Sequence, residues 1–241
     1  MTGTIGCVAA AALFLLVSHY GLSSTPLRGW LVARIGEGPY RGLFSLIAAG
    51  AFWWLAAAYN AAPFVPLWLP ASWQAWVPLL AMPVALLLVV AGLSTPNPSA
   101  VGQEKLLAGT DRAAGGDSGR DPARGILRIT RNPFLWGVGL WALAHMVPNG
   151  DAAALILFGA LAVLALLGSV LIDIKLARRL GPAWAGYAAR TSNLPFAAVL
   201  AGRQTVAWRE IGWWRLGLAL ALYATVLHLH VRVFGVSPLP S

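Results

Sequence analysis

The sequence predicts an all-α protein, a polytopic bundle of about six helices that cross a lipid bilayer. Of its 241 residues, 59% are hydrophobic and 10% are charged, and the mean hydropathy is +0.71. A soluble domain carries roughly 25% charged residues, so this chain has too few ionisable groups to cover a surface that faces water. The apolar residues also fall in long runs with the basic residues between them. The lipid bilayer is therefore the first expected partner.

Six apolar runs account for the predicted helices. A helix rises about 1.5 Å per residue, so runs of roughly 17 to 25 residues span the hydrocarbon core of about 30 Å. The fourth run is short, and we expect it either to begin earlier, at Ile126 and Leu127, or to be half buried against its neighbours. The runs cover Ile5 to Leu22, Gly42 to Tyr59, Trp76 to Leu93, Pro133 to Val147, Ala152 to Ile172 and Trp213 to Phe234.

The basic residues follow the first, third and fifth runs, and this pattern predicts the orientation. Of the 17 lysines and arginines, 15 lie in these connectors, Arg215 lies at the start of the sixth run on the same side, and Arg232 is the exception. Six spans with both termini outside satisfy the positive-inside rule, so we expect a multi-pass protein of the bacterial inner membrane with cytoplasmic basic loops. A net charge of +9 could also indicate nucleic-acid binding. Because the basic residues form no continuous stripe, no nucleic-acid partner is expected.

The whole chain, residues 1–241, is expected to form a single transmembrane domain with a variable cytoplasmic loop at about residues 94–125. That loop mixes Pro, Gly, Ser and Asp with few apolar residues, which is typical of a mobile loop. Ser24 and Pro26 have the residue types of a helix cap and first turn, and they predict a short interfacial helix ending near Ile35. A lone cysteine, Cys7, excludes an intrachain disulfide and a cysteine-rich metal site.

Tryptophans cluster in the connection that follows the second run, at residues 60–75. Trp68, Trp73 and Trp76 are predicted to be interfacial anchors, because the indole ring is apolar while its N–H seeks water. This interpretation requires no aromatic binding site.

Ionisable side chains within the apolar runs are the candidate functional residues, since burying them in hydrocarbon is costly. They are His19, His145, His228 and His230. Neutral imidazole is well suited to axial ligation of haem iron. The alternative is that each histidine donates to a carbonyl of a neighbouring helix and binds nothing. Asp173 ends the fifth run beside Lys175 and Arg178, and we expect it to form a surface ion pair there.

Depth in the membrane tests which histidines could share one iron. His145 lies roughly 21 Å from the basic side and His228 roughly 20 Å, whereas His19 lies about 5 Å from it if the first helix ends at Leu22. Pairing His19 with His145 therefore requires the first helix to continue further or the helices to tilt. Arg232 shares the helix face of His228 and either binds a haem propionate or extends its charge to the interface.

Several segments resemble the NnrU family of membrane proteins, which includes the 15-cis-zeta-carotene isomerases of plants and cyanobacteria. The likeness covers nearly the whole chain apart from the variable loop. It rests on Ser18-His19-Tyr20-Gly21-Leu22, Gly36 to Phe44, Ile129-Thr130-Arg131-Asn132-Pro133, Leu140 to His145, Asn149-Gly150-Asp151, Arg190 to Ala198 and Gly202-Arg203-Gln204.

The resemblance implies a protein that binds haem b through histidines and rotates a cis double bond of a carotenoid precursor or another apolar small molecule. The implied iron ligands are His19 and His145, with His228 in reserve. Two positions depart from the family pattern. Asn132 stands where the family commonly has histidine, and Ala142 stands where the plant isomerases have cysteine, which removes any ligand exchange through that thiolate.

Two other functions are open. Bacterial members of the family are associated with nitrite and nitric oxide metabolism (denitrification), which implies an accessory or regulatory role without established catalysis. Haem would suit that role as well, because ferrous haem binds nitric oxide. A transporter is the third class, but the chain has no visible internal repeat, and Pro78 and Pro83 are explained as kink or start residues.

Overall fold

The computed structural model describes residues 3–108 and 121–240, and these residues form helices joined by short connections. No β-strand occurs among them; Pro66 and Asp151 form an isolated antiparallel bridge. The all-α prediction is confirmed. A 3-10 helix covers Gly125–Arg128, and the α-helices are α1 (Ile5–Ser24), α2 (Pro26–Ile35), α3 (Glu37–Ala61), α4 (Ser72–Ser94), α5 (Lys105–Ala108), α6 (Pro133–Met146), α7 (Ala152–Leu180), α8 (Pro182–Arg190), α9 (Ala197–Leu200), α10 (Trp208–Ile211) and α11 (Trp213–Phe234).

Five helices in the described part of the chain are long and apolar enough to cross a membrane, namely α1, α3, α4, α7 and α11. The membrane bundle is confirmed, with five such helices where about six were predicted. The difference is α6, which has 14 residues. At about 1.5 Å per residue it reaches roughly 21 Å, short of the hydrocarbon core of about 30 Å.

Close packing explains how α6 can be apolar and yet short. A Cβ placed on Gly137 would lie 2.7 Å from the carbonyl oxygen of Ala85, and one placed on Gly139 would lie 2.6 Å from the side chain of Leu166. Hence α6 is held against its neighbours by backbone contact. Ile126 and Leu127 do not extend this helix; they are buried in the separate 3-10 helix.

The contacts group the chain into two compact units. Unit 1 contains residues 1–77 and 142–164, and unit 2 contains residues 78–141 and 165–241. The core of unit 1 joins α1 and α3 to the first part of α7, and its buried members are small or aliphatic, which allows close helix packing. They are Val8, Ala11, Ala12, Leu15, Ala51, Leu55, Ala58, Ala153 and Ala160.

Unit 2 has two apolar clusters. The first joins α4, the 3-10 helix and α10 through Leu88, Ala91, Ile126, Leu127, Ile129 and Ile211. The second joins α5, α7 and α8 through Leu107, Ala123, Leu176, Trp184 and Tyr187.

Residues 109–120 of the predicted variable loop at about residues 94–125 lie outside the described residues, and the described parts on either side contribute Leu107 and Ala123 to the second cluster. Asn97 is buried, its side chain accepts from the N–H of Ser99 at 2.9 Å, and its own N–H donates to the Gln103 side chain at 2.8 Å. Leu107 is 3% exposed. Short polar side chains here form hydrogen bonds with backbone N–H groups and stabilise a turn. Composition alone does not distinguish such a turn from a mobile segment.

The predicted short helix is present as α2, with a different cap. Thr25, not Ser24, is the N-cap, and its hydroxyl accepts from the N–H of Leu27 at 3.2 Å. Ser24 is the last residue of α1, which therefore continues two residues beyond the predicted end at Leu22.

Candidate functional site

His19 lies on α1, five residues before that helix ends, and its ring is half-buried within unit 1. The ring meets that of Phe44 on α3 edge-on, with 5.0 Å between centroids. Its Nδ1 is closed off from the surroundings and has no hydrogen-bond partner among the described residues. Buried polar atoms normally have a partner, because leaving one unsatisfied is costly. His19 thus carries a ring nitrogen that the described part of the protein leaves unused.

Two tyrosines fix the end of α1 that carries this histidine. Tyr20 donates from its hydroxyl to the carbonyl oxygens of Val163 at 2.8 Å and Leu164 at 3.0 Å on α7. Tyr40 on α3 donates to the carbonyl oxygen of Leu22 at 2.6 Å. These three bonds connect different helices, so they restrain the end of α1 just after His19.

His145 is the next-to-last residue of α6 and also belongs to unit 1. Its half-buried ring stacks on that of Phe158 from α7, with 5.4 Å between centroids and 30° between planes. Ala142, one turn earlier, is completely buried. The Ala142 position is therefore in the protein interior.

The turn after α6 gives the Asn149-Gly150-Asp151 segment a structural role. The Asp151 side chain caps α7 by accepting from the N–H groups of Ala153 at 3.0 Å and Ala154 at 3.1 Å. Gly150 accepts from the N–H of Trp68 at 3.2 Å, and a Cβ placed on it would lie 2.6 Å from the Trp68 ring. This glycine is required because the connection at 60–75 passes too close for any side chain.

Trp68 is more than the interfacial anchor predicted from sequence. Its indole N–H donates to the carbonyl oxygen of Val147 at 3.1 Å, so it closes the turn that follows His145. This contact could not be predicted from the sequence, because the two residues are 79 positions apart.

Contacts with α7 give the relative depth of His19 and His145. Tyr20, next to His19, binds at Val163 and Leu164, whereas His145 stacks on Phe158. Phe158 and the Val163–Leu164 pair are about 8 Å apart along α7, so the two histidines differ in depth by about that distance. The sequence estimates implied a difference of about 16 Å. Continuation of α1 to Ser24 accounts for part of the change, since it moves His19 further from its helix end.

His228 and Arg232 lie on α11 in unit 2, and both are exposed. His230 on the same helix has its Nδ1 2.9 Å from the carbonyl oxygen of Val236, and its ring contacts Phe234. The structure thus places His19 and His145 in one unit and the reserve ligand and the propionate candidate in the other. The ligand roles remain predictions.

Asp173 contradicts the predicted surface ion pair with Lys175 or Arg178. It pairs with Arg131, whose guanidinium Nη2 lies 2.6 Å from the carboxylate, and the two side chains are 12% and 16% exposed. Arg131 also donates to the hydroxyl of Thr191 at 3.2 Å and lies over the Trp184 ring, 5.7 Å from its centroid. The pair is therefore enclosed, and it connects the residue before α6 to α7 and α8.

Two of the segments that carry the family resemblance meet at this pair. The N–H of Arg131 donates to the carbonyl oxygen of Ser192 at 2.9 Å. The side-chain oxygen of Asn193 accepts from the Trp136 indole at 3.1 Å and from Asn132 at 3.3 Å. Asn132 is 3% exposed and takes part in this network as a neutral donor.

Tyr187 on α8 is 2% exposed, and its hydroxyl has no hydrogen-bond partner in the described ranges. Burial raises the pKa of this phenol. The hydroxyl is thus kept neutral beside the Arg131–Asp173 pair. No group of three or more His, Cys, Asp or Glu side chains positioned to hold a metal ion occurs in residues 3–108 and 121–240.

Five described helices are long and apolar enough to cross a membrane. One unit contains two half-buried histidines, and the other contains an enclosed arginine–aspartate pair. These features define a polytopic helical membrane protein whose polar groups lie between helices. Sequence comparison gives the particular family. The chain belongs to the NnrU family, whose profile, described as NnrU protein, matches residues 7–238. The resemblance predicted from the motifs is confirmed.

Two curated relatives are plant enzymes. The chloroplastic 15-cis-zeta-carotene isomerase of Zea mays is 40% identical over 80 residues, which are 33% of this chain and 22% of that protein. Its counterpart from Arabidopsis thaliana is 39% identical over 82 residues, which are 34% of this chain and 22% of that protein. The matched region is thus a small part of each relative. No solved structure matches the chain.

Proposed function

We propose that this protein is a membrane-embedded cis-trans isomerase of a carotenoid precursor and that it binds haem b through His19 and His145. The observation that carries the proposal is the identity of 40% over 80 residues with a 15-cis-zeta-carotene isomerase. Carotenoids are insoluble in water, so their enzyme has to offer its site to the lipid phase. Five helices able to cross a membrane meet that requirement.

His19 fits the role of an axial ligand. An iron ligand needs a nitrogen free of protein hydrogen bonds, and Nδ1 of this residue is buried without a partner among the described residues. In such a ligand one ring nitrogen binds the metal while the other donates to the protein or to water. The edge of Phe44 against the ring excludes water and restricts its rotation.

His145 fits as the second ligand because it shares unit 1 with His19. Stacking on Phe158 orients its ring, and the turn closed by Trp68 and Gly150 fixes the end of α6 on which it stands. His228 is the reserve ligand, with Arg232 as the possible propionate partner.

The proposed isomerisation requires no bond to form or break between the substrate and a side chain of this protein. Rotation about a polyene double bond requires a temporary reduction of its double-bond character, and bound haem iron supplies that electronic perturbation. The protein holds the two imidazole rings in place, excludes water and positions the apolar substrate. The reaction changes geometry without net oxidation or reduction.

We also propose the inner membrane of a bacterium as the location, with the basic connectors in the cytoplasm. The support is the charge distribution, since all basic residues except Arg232 lie in the connectors after the first, third and fifth apolar runs or, for Arg215, at the start of the sixth run on the same side.

Isomer composition in living cells tests the isomerase. The full chain is expressed in light-protected bacteria that accumulate 15-cis-zeta-carotene, and the isomers are separated by chromatography. We expect conversion by the wild type, loss of at least about tenfold in His19→Ala and His145→Ala, and no loss in the matched control His230→Ala, because removing an axial ligand abolishes cofactor binding or function. Unchanged isomer composition with the wild type, expressed and inserted, would reject the isomerase and favour the accessory role in nitric oxide metabolism.

A further inference from the structure

Unit 2 contains a second candidate site, a cavity of about 460 Å³ on the connectors between its helices. It is lined by Thr95, just after α4, by Arg124 and Arg128 around the 3-10 helix, and by Glu210 and Arg215 near the start of α11. None of these residues belongs to the proposed haem site in unit 1.

The carboxylates at this cavity are already paired. Glu210 accepts from Arg128 at 2.8 and 3.0 Å and from the N–H of Gly125 at 2.8 Å. Asp121 accepts from Arg190 at 3.0 Å and from the N–H of Ala123 at 2.9 Å. Neither acid is therefore free to neutralise a further cation by a direct bond.

Two arginines at the same cavity have no carboxylate partner within the described ranges. Arg215 donates to Ser94, 2.7 Å to its hydroxyl and 3.0 Å to its carbonyl oxygen, and to the carbonyl oxygen of Ile211 at 2.6 Å, all of them neutral acceptors. Arg124 is half-buried, its side chain has no hydrogen bond or ion pair to another described residue, and its charge repels that of Arg215. Two like charges at one cavity, neither bonded to a carboxylate among the described residues, favour an anion.

The position of the cavity points to the membrane surface. Ser94 ends α4 and Trp213 begins α11, and both helices are long and apolar enough to cross a membrane. Trp213 and Trp214 are 71% and 56% exposed, as expected of tryptophans at the level of lipid headgroups. The phosphates of lipid headgroups are anionic groups at that level.

We propose that this cavity binds a phosphate group through Arg124 and Arg215, with the Thr95 hydroxyl as a neutral donor. A planar guanidinium donates two parallel hydrogen bonds to phosphate oxygens, which explains why arginine suits the site better than lysine. The phosphate is carried either by the headgroup of an anionic phospholipid or by a free ion in solution, and two arms of one experiment distinguish these sources.

The experiment uses the full chain, purified in a neutral detergent and stripped of lipid. In the lipid arm, native mass spectrometry compares retention of phosphatidylglycerol with that of phosphatidylcholine. In the second arm, thermal unfolding is followed with inorganic phosphate against chloride at equal ionic strength. Arg124→Gln should weaken the response by about tenfold or more, as expected for a lost charge-assisted hydrogen bond.

Arg209→Gln is the matched control, since it removes the same charge from an exposed residue of α10 that does not line the cavity. Arg124→Lys keeps the positive charge but loses the planar pair of N–H donors, so its response should lie between those of wild type and Arg124→Gln. Because the Arg124 side chain makes no hydrogen bond to the described residues, and a substitution keeps the backbone bond from Leu127, its variants should fold normally. Thr95→Val provides an independent change in the same cavity.

Selective loss of phosphatidylglycerol binding in Arg124→Gln identifies a lipid headgroup. Selective loss of stabilisation by inorganic phosphate identifies a free ion. Equal responses of wild type, Arg124→Gln and Thr95→Val in both arms would overturn the proposal.

Discussion

Arg131 and Asp173 form an ion pair across 42 positions of sequence, with 2.6 Å between the guanidinium and the carboxylate. Both side chains are largely enclosed, and Asn132 and Thr191 bond to the pair from two of the segments that carry the family resemblance. These contacts give the two segments a structural role. The pair joins α6, α7 and α8 of unit 2 at a single point.

Breaking this ion pair should strongly destabilise unit 2. Arg131→Ala leaves an enclosed carboxylate without its partner, and we expect the free energy of unfolding to fall by roughly 3–5 kcal/mol. Thermal unfolding in detergent measures this. Arg178→Ala, at an exposed position of α7, is the control and should change little. If the two variants have the same stability, the pair does not hold the helices together.

Removing both partners should be less harmful than the two single changes suggest. In Arg131→Ala/Asp173→Ala no unpaired charge remains, so the loss should be smaller than the sum of the two single losses by about 0.5–3 kcal/mol. A double-mutant cycle of unfolding free energies measures the difference. Strict additivity would show that the two side chains act independently.

Gly150 should not tolerate a side chain. In Gly150→Ala the new Cβ would lie 2.6 Å from the ring of Trp68, and such overpacking should cost about 1–3 kcal/mol of stability. Gly159→Ala, in open space on α7, should instead stabilise by about 0.5–1 kcal/mol. Unfolding midpoints of the two variants provide the comparison. A neutral Gly150→Ala would mean that Trp68 does not pack on the turn.

The unpartnered hydroxyl of Tyr187 should be dispensable for stability. Tyr187→Phe removes a buried polar atom that has no hydrogen bond among the described residues, so it should be neutral or stabilise by up to about 1–3 kcal/mol. The control is Tyr223→Phe, whose hydroxyl donates to the carbonyl oxygen of Leu79 at 3.1 Å and whose loss should cost about 0.5–1.5 kcal/mol. A marked loss of stability in Tyr187→Phe would show that its hydroxyl has a partner.

Acid should weaken the contact between Glu210 and the 3-10 helix. The hydrogen bond from Arg128, followed by that from the N–H of Gly125, holds the pKa of the Glu210 carboxyl below its ordinary value of 4.5. Since the folded pKa is depressed, this stabilisation is present above the unfolded value and is lost as pH falls through the folded one. The effect should be small, because the carboxyl side chain is 39% exposed.

Unfolding midpoints measured from neutral pH to below about pH 4.5 test this assignment. Glu210→Gln and Arg128→Gln should both be less stable than wild type at neutral pH and should both show a flatter acid limb. If the acid limb keeps its slope in both variants, other carboxyl groups account for the pH dependence.

Hydropathy and charge predicted the fold well, because a bilayer imposes length and composition on every helix that crosses it. The starts of α1, α6, α7 and α11 coincide with the starts of their apolar runs. The prediction was least accurate for α6, because hydropathy does not distinguish a helix that contacts lipid from one that is buried against residues such as Ala85 and Leu166.

The candidate residues were found from sequence, but their surroundings were not. Any buried histidine is visible as an ionisable residue in an apolar run, so His19 and His145 were identified. The partner of Asp173 was missed because Lys175 and Arg178 are nearer in sequence, and helix packing, not sequence distance, selects Arg131. The Trp68 contacts were missed for the same reason.

The absorption spectrum of the purified protein tests the central claim most directly, namely that the histidines of unit 1 hold a haem. The full chain is produced in cells supplied with a haem precursor, and its Soret band is normalised to protein. The account predicts a band that is lost in His19→Ala and His145→Ala and kept in His228→Ala and His230→Ala. A wild-type protein without a Soret band, or a band that survives in His19→Ala, would contradict it.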